Sequence, residues 1–162
     1  MNFTEFKLNA QILSGVKELG YETATPIQEK AIPSILAGLD VVGTAQTGTG
    51  KTAAFALPLL QRLMDGPRGQ LRGLILAPTR ELAEQIRQSI DRLAIRTGLR
   101  CTAIYGGANL VKQYQILRRG VDIVIACPGR LLDHINRGNI NLTQVEVLVL
   151  DDSNKYELFS EG

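Results

Sequence analysis

The sequence predicts an α/β fold: a mainly parallel sheet with helices on both faces. Three observations predict it. Short runs rich in Val, Ile and Leu alternate with segments of helical apolar spacing. Most of these runs are near-continuously apolar, as strands covered on both faces must be. A glycine-rich turn follows the first run and leads directly into a helical segment. Strand–helix alternation of this kind implies right-handed crossovers in a layered domain.

Taken in order, Asn9–Leu19 and Pro26–Leu36 read as helices that end near Gly20 and Gly38, glycine being the residue that closes a helix most easily. Thr25 and Gln28 have capping-box spacing, with Pro26 at the first helical position. The strands are Asp40–Ala45, Gly73–Pro78, Cys101–Gly106, Val121–Ala126 and Val145–Asp151. Leu82, Ile86, Ile90 and Leu93 form one helical stripe, Leu110, Tyr114 and Leu117 a second, and Leu131, Leu132 and Ile135 a third. His134, on the last of these, reads as a packed or solvated histidine rather than a catalytic one.

The chain has 162 residues, 44% hydrophobic and 21% charged, which makes one globular domain the expectation. It has no apolar run of ~18 residues, so no membrane span is expected, and Met1–Phe6 lacks a basic-then-apolar leader pattern. Cys101 and Cys127 have no CxxC spacing. They read as buried thiols of a reducing compartment, with the cytoplasm as the expected address. The net charge of +2 hides an asymmetry: residues 62–137 carry thirteen Lys or Arg against six acids. Such a segment either attracts polyanions or is a solvated arginine-rich helix face, and charge alone favours the second.

The strongest chemical signal is Ala45–Thr52, AQTGTGKT, after the first strand. A strand that turns through glycines into a helix leaves backbone N–H groups at the positive end of the helix dipole. There the backbone of Thr47, Gly48, Thr49 and Gly50 can wrap a phosphate chain. Lys51 can reach the terminal phosphates, and the Thr52 hydroxyl can ligate Mg²⁺. A phosphate loop of this kind needs an acid at the end of another strand. Asp151 supplies it as a metal-binding carboxylate, with Asp152 beside it as a water-orienting group.

The order of motifs closely resembles the first RecA-like domain of the DEAD-box ATP-dependent RNA helicases, from Phe3 to about Leu150. Gly20–Gln28 (GYETATPIQ) resembles the Q motif, Ala45–Thr52 motif I and Pro78–Ala83 (PTRELA) motif Ia; Gly106–Gly107 matches the glycine doublet and Pro128–Arg130 the TPGR motif. The resemblance implies a RecA-like three-layer sandwich that binds ATP or ADP with Mg²⁺. Phe3 and Tyr21 would pack near the adenine, Thr25 would belong to the same pocket, and Gln28 would bond the adenine edge unless it serves only as a cap. Pro78, Thr79, Arg80, Gly106, Gly107, Pro128, Gly129 and Arg130 would line a face that grips an RNA backbone, where arginines and glycine amides suit phosphate. Residues 1–38 would be the Q-motif region and 39–154 the phosphate-loop core.

The pattern also departs from the family. Motif II, DEAD, stands here as Asp151-Asp152-Ser153-Asn154, and Cys127 replaces the threonine before Pro-Gly-Arg. Residues 155–162, KYELFSEG, resemble nothing that follows motif II, so the family's last strands, its SAT motif and the second RecA-like domain are expected to be missing. In the family, a strand lies between the phosphate-loop strand and the motif II strand. Leaving that slot open would strand backbone hydrogen-bonding groups inside the sheet. Either Lys155–Ser160 turns back into it, or a second copy lends a strand and makes a homodimer. The expectation is a partial helicase domain that binds nucleotide, and RNA weakly, and is not a competent helicase alone. The alternative is a non-catalytic RNA-binding or protein-interaction module with a relic phosphate loop.

Overall fold

The computed structural model describes residues 1–44, 50–152 and 155–160. Thr47, Gly48 and Thr49 of the phosphate loop, and Ser153 and Asn154 of motif II, lie outside the described residues. A short 3-10 helix at Phe3–Phe6 precedes α1 (Ala10–Glu18) and α2 (Pro26–Leu36), and the chain then runs β1 (Val41–Thr44), α3 (Lys51–Met64), β2 (Gly73–Leu76) and α4 (Arg80–Leu93). It continues with β3 (Cys101–Ile104), α5 (Leu110–Arg119), β4 (Ile123–Ala126), α6 (Pro128–Asn136), β5 (Val147–Asp151) and β6 (Lys155–Ser160).

Six strands form one sheet in the order β1-β6-β5-β2-β4-β3. β2, β3, β4 and β5 pair in parallel, while β6 runs antiparallel to both β1 and β5. Lys155–Ser160 of the same chain therefore fills the slot beside the phosphate-loop strand, and no strand from a second copy is required. Asp151 of β5 pairs with Tyr156, and Gly43 of β1 pairs with Tyr156 on the other side.

Strand alternation sorts the core into two layers. Ile75, Ile125, Val149, Tyr156 and Leu158 point to the face covered by α1–α4. Leu74, Val124 and Ala126 point to the opposite face, under Leu117 of α5 and Leu131 of α6. This second cover stops short of the β1–β6 end, where Val42 and Phe159 are exposed. The result is the three-layer α/β sandwich expected from the sequence.

Tyr156 is fully buried, and its ring lies 5.4 Å from that of Phe55 on α3. A Cβ on Gly43 would come within 2.4 Å of Tyr156 Cε1, so the strand glycine is there to admit the ring. At the other end of the sheet Arg72 is buried and donates to the carbonyls of Leu63 (3.2 Å), Pro67 (3.3 Å) and Asp65 (2.6 Å) and to Glu146. That one guanidinium ties the end of α3 to the chain entering β5. Arg72→Ala leaves those carbonyls without their donor and Glu146 with Arg62 as its remaining partner, and thermal unfolding is expected to show a loss of about 1–3 kcal/mol.

The thirteen basic residues of segment 62–137 are not one open patch. Arg62 and Arg72 pair with Glu146, Arg87 with Glu84 and Asp91, Arg96 with Glu18 and Arg130 with Asp133. Both cysteines are free thiols and only half-buried. Cys101 Sγ donates to Asp91 Oδ1 at 3.0 Å, and burial pushes its pKa up, so it is an inert thiol. No helix among the described residues is long and apolar enough to cross a membrane.

His134 is fully buried, the packed rather than the solvated of the two readings. Its Nδ1 faces the Asn139 amide nitrogen at 3.1 Å and its Nε2 faces Gln113 Oε1 at 3.0 Å. An amide nitrogen only donates, so Nδ1 accepts and Nε2 carries the proton. Burial first, and then Arg130 and Arg137 outweighing Asp133, lower its pKa from 6.5. Below pH 6.5 the unfolded chain binds a proton that the folded chain refuses. Stability is thus complete above that pH and is lost as pH falls through the folded value. Melts between pH 7.5 and 5.5 are expected to show this decline, and His134→Gln is expected to flatten it.

Candidate nucleotide and polyanion site

The carboxyl ends of β1, β2, β3, β4 and β5 share one edge of the sheet, and the candidate residues among the described ones lie along it or on the N-terminal segment beside it. This is the edge at which open α/β sheets bind ligands. Lys51 opens α3, a 14-residue helix whose N-terminal N–H groups carry partial positive charge. Its Nζ donates to Asp151 Oδ1 at 2.6 Å and to the Asp152 carbonyl oxygen. Both partners of the Lys51–Asp151 pair are buried. Burial raises the Asp151 pKa, and Lys51 opposes that shift. Asp151 Oδ2 is buried with no hydrogen-bond partner among the described residues. Asp152 Oδ1 accepts from the Lys155 N–H at 2.9 Å, which fastens the turn into β6.

The Q-motif residues come together around the same helix start. Asn2 bridges to Thr23 and Ala24 N–H donates to the Met1 carbonyl at 2.8 Å, so the N-terminal segment lies along residues 21–25. Phe3 thereby stacks on Tyr21, with ring centroids 6.2 Å apart and the Tyr21 ring 45% exposed. Gln28 is buried. Its Oε1 accepts from the Thr25 N–H at 2.9 Å, and its Nε2 donates to the Gly50 carbonyl at 3.1 Å. Gln28 is therefore a helix cap and also a tie to the end of the phosphate loop. Gly50 has φ +81° and a Cβ there would meet Gln28 Nε2 at 2.3 Å, which excludes other residues at this point. Thr25 Oγ1 is buried without a partner among the described residues. Tyr21, Lys51 and Thr52 open onto a cleft of about 320 Å³ whose far wall is Gln85, Ser89 and Arg92 of α4.

The second group of candidates lies farther along the edge. Pro78, Thr79 and Arg80 follow β2, Gly106 and Gly107 follow β3, and Pro128 and Gly129 open α6; all seven are exposed. Thr79 caps α4 by accepting from the Leu82 N–H at 3.2 Å. The Arg80 guanidinium lies 4.9 Å above the Tyr105 ring, and Tyr105 Oη donates to Glu84 at 3.0 Å. Arg130 is brought to the same loop but turned inward: its Nη1 donates to the Ala108 carbonyl and to Gln113 Oε1, both at 3.1 Å. A groove of about 330 Å³ connects this group to Asp151, along Pro78, Pro128, Asp152 and Lys155.

Sequence reasoning missed Gln113. Its only signal was a polar residue inside the Leu110–Tyr114–Leu117 stripe. In the structure it is the most deeply buried residue of α5, while that stripe is half-buried.

The sheet, its layers and the lysine–aspartate pair define a RecA-like α/β domain. The DEAD/DEAH box helicase family model matches residues 25–158, and the chain belongs to that family. It is 46% identical over 153 residues to the ATP-dependent RNA helicase CshA of Listeria monocytogenes, a match covering 94% of this chain and 29% of that protein. It is also 46% identical to the ATP-dependent rRNA helicase rrp3 of Aspergillus terreus, covering 94% of this chain and 34% of that one. The RNA helicase Prp28 of Chaetomium thermophilum, solved bound to ADP, superposes with a TM-score of 0.85 at 41% identity and covers 93% of this chain and 38% of its own. The chain thus spans about a third of the length of the helicases it matches.

Proposed function

We propose that this domain binds ATP or ADP at the head of α3 and presents Pro78–Arg80, Gly106–Gly107 and Pro128–Arg130 to the backbone of RNA. The observation that carries the nucleotide reading is the buried Lys51–Asp151 pair at a helix N-terminus, with Gln28 tying the Q-motif helix to the adjoining loop. Phosphate oxygens would take over Lys51 from Asp151, trading one anion for another. The orphaned Asp151 Oδ2 fits a cation site, so Thr52 and Asp151 would hold Mg²⁺, which when bound neutralises phosphate charge. Adenine would lie on the exposed Tyr21 ring, with Gln28 at its edge. The two free thiols suit a reducing compartment, the cytoplasm.

The chain then acts as a nucleotide-binding part of a helicase rather than as a competent helicase by itself. Asp152 stands where the family has glutamate, one methylene longer, and its carboxylate is engaged by the β5–β6 turn. An error of ~1 Å in placing a catalytic group costs about a hundredfold in rate. RNA-stimulated phosphate release abolished by Lys51→Ala would contradict this.

The test of base recognition is a competition of ADP against GDP for fluorescent ADP. Gln28→Ala is expected to remove most of the preference for ADP, by about tenfold if one buried hydrogen bond carries it. Equal affinity of the unaltered chain for both nucleotides would refute the adenine reading.

A further inference from the structure

The glycine pair Gly106–Gly107 has no side chain with which to hold itself, is exposed, and takes φ +83° at Gly107. What fixes it lies behind it. Gln113 of α5 is 6% exposed and bonds through both ends of its amide. Nε2 donates to the Tyr105 carbonyl at 3.0 Å, on one side of the glycine pair. Oε1 accepts from His134 Nε2 at 3.0 Å and from Arg130 Nη1 at 3.1 Å, and Arg130 Nη1 also reaches the Ala108 carbonyl on the other side. Only one orientation of the amide serves these partners, because two donors meet its oxygen and one carbonyl meets its nitrogen. Tyr105 in turn carries Arg80 on its ring. One buried amide thus links both flanks of the loop, Arg130 and, through Tyr105, Arg80.

We propose that Gln113 is the positioning residue of the polyanion-binding face: it holds the Gly106–Gly107 amides and, through Tyr105, the Arg80 guanidinium in one register for a phosphate backbone, with the inward-turned Arg130 as its partner in bracing the loop. This rests on the reading of that face as an RNA-backbone site. Residues at such a hub act as a unit, so their removals are not additive. Gln113→Glu is the informative variant. It keeps an acceptor for Arg130 and His134, but its ionised carboxylate sets an oxygen against the Tyr105 carbonyl.

The experiment measures binding of a fluorescent single-stranded oligouridine by anisotropy, at two salt concentrations, for the full chain and for Gln113→Ala, Gln113→Glu, Arg130→Ala and the double variant Gln113→Ala/Arg130→Ala. Hydrogen exchange at residues 105–109 is followed in parallel. Gln113→Ala is expected to weaken RNA binding about tenfold, to flatten its salt dependence and to speed exchange of the loop amides. The double variant is expected to bind no worse than Arg130→Ala, and Gln113→Glu to fall between Gln113→Ala and the unaltered chain. Should Gln113→Ala fail to fold, Gln113→Glu carries the same comparison. Unchanged exchange at residues 105–109, or additive losses in the double variant, overturns the positioning role. Faster exchange beside an unaltered chain that binds no RNA overturns the RNA face instead.

Discussion

Tyr156→Ala is expected to destabilise the domain by about 3–5 kcal/mol, the range for emptying a buried aromatic site. For a chain of this length that lowers the melting temperature by on the order of 10 °C. The expectation follows from position. The ring fills the space between β1 and α3, against Gly43 and Phe55, at the join between the antiparallel strand and its neighbours. Tyr156→Phe is expected to behave oppositely. The phenol oxygen is buried with no hydrogen-bond partner among the described residues, and burial together with Asp151 pushes its pKa up to about 12, so it stays protonated. Deleting an unsatisfied buried hydroxyl relieves desolvation of about 1–3 kcal/mol, so phenylalanine is expected to be neutral or stabilising. Chemical denaturation of both variants distinguishes a packing role from a polar one. A large loss in Tyr156→Phe would show that the hydroxyl has a partner that matters.

Lys51→Ala is expected to act twice. It removes the cation for phosphate, which lowers nucleotide affinity by on the order of tenfold to a hundredfold. It also leaves Asp151 as a buried carboxylate without its counterion, a loss of about 3–5 kcal/mol. The sign of the pH response separates the two effects. Burial already raises the Asp151 pKa, and Lys51 is what opposes it. In the variant the folded pKa rises further above the unfolded value, so the folded state binds more protons than the unfolded one. Stability of Lys51→Ala relative to the unaltered chain is therefore expected to recover as pH falls through that raised pKa toward the unfolded value. Lys51→Ala/Asp151→Asn is expected to recover stability at neutral pH without recovering nucleotide binding. Melts of the single and double variants at pH 5 and pH 8 check both statements.

The parts of this molecule written in local signals were legible in the sequence. The α2 boundaries follow from Thr25, Pro26 and Gln28, three neighbouring residues whose preferences all mark a helix start. The five apolar strands and the head of α3 were equally plain, because composition alone separates buried strands from the glycine turn. What was not legible depends on distant partners. Lys155–Ser160 could be read as a strand, but its place between residues 41–44 and 147–151 is a fact of pairing. Gln28 could be read as cap or as adenine contact; the structure shows the cap and adds a bond to Gly50, 22 residues away. Arg130 read as a surface hand for RNA, yet its side chain is 12% exposed and bonded to Gln113 and Ala108. Gln113 gave almost no signal, since its importance lies in partners that only the fold brings within reach: Arg130 and His134 of α6 and the Tyr105 carbonyl after β3.

The most direct test of the nucleotide site is calorimetric titration of the folded chain with ADP and Mg²⁺, beside Lys51→Ala/Asp151→Asn. The expected result is saturable one-to-one binding by the unaltered chain and none by a double variant that melts as a folded protein. A folded chain that takes up no ADP, or equal affinity in the double variant, would contradict the account.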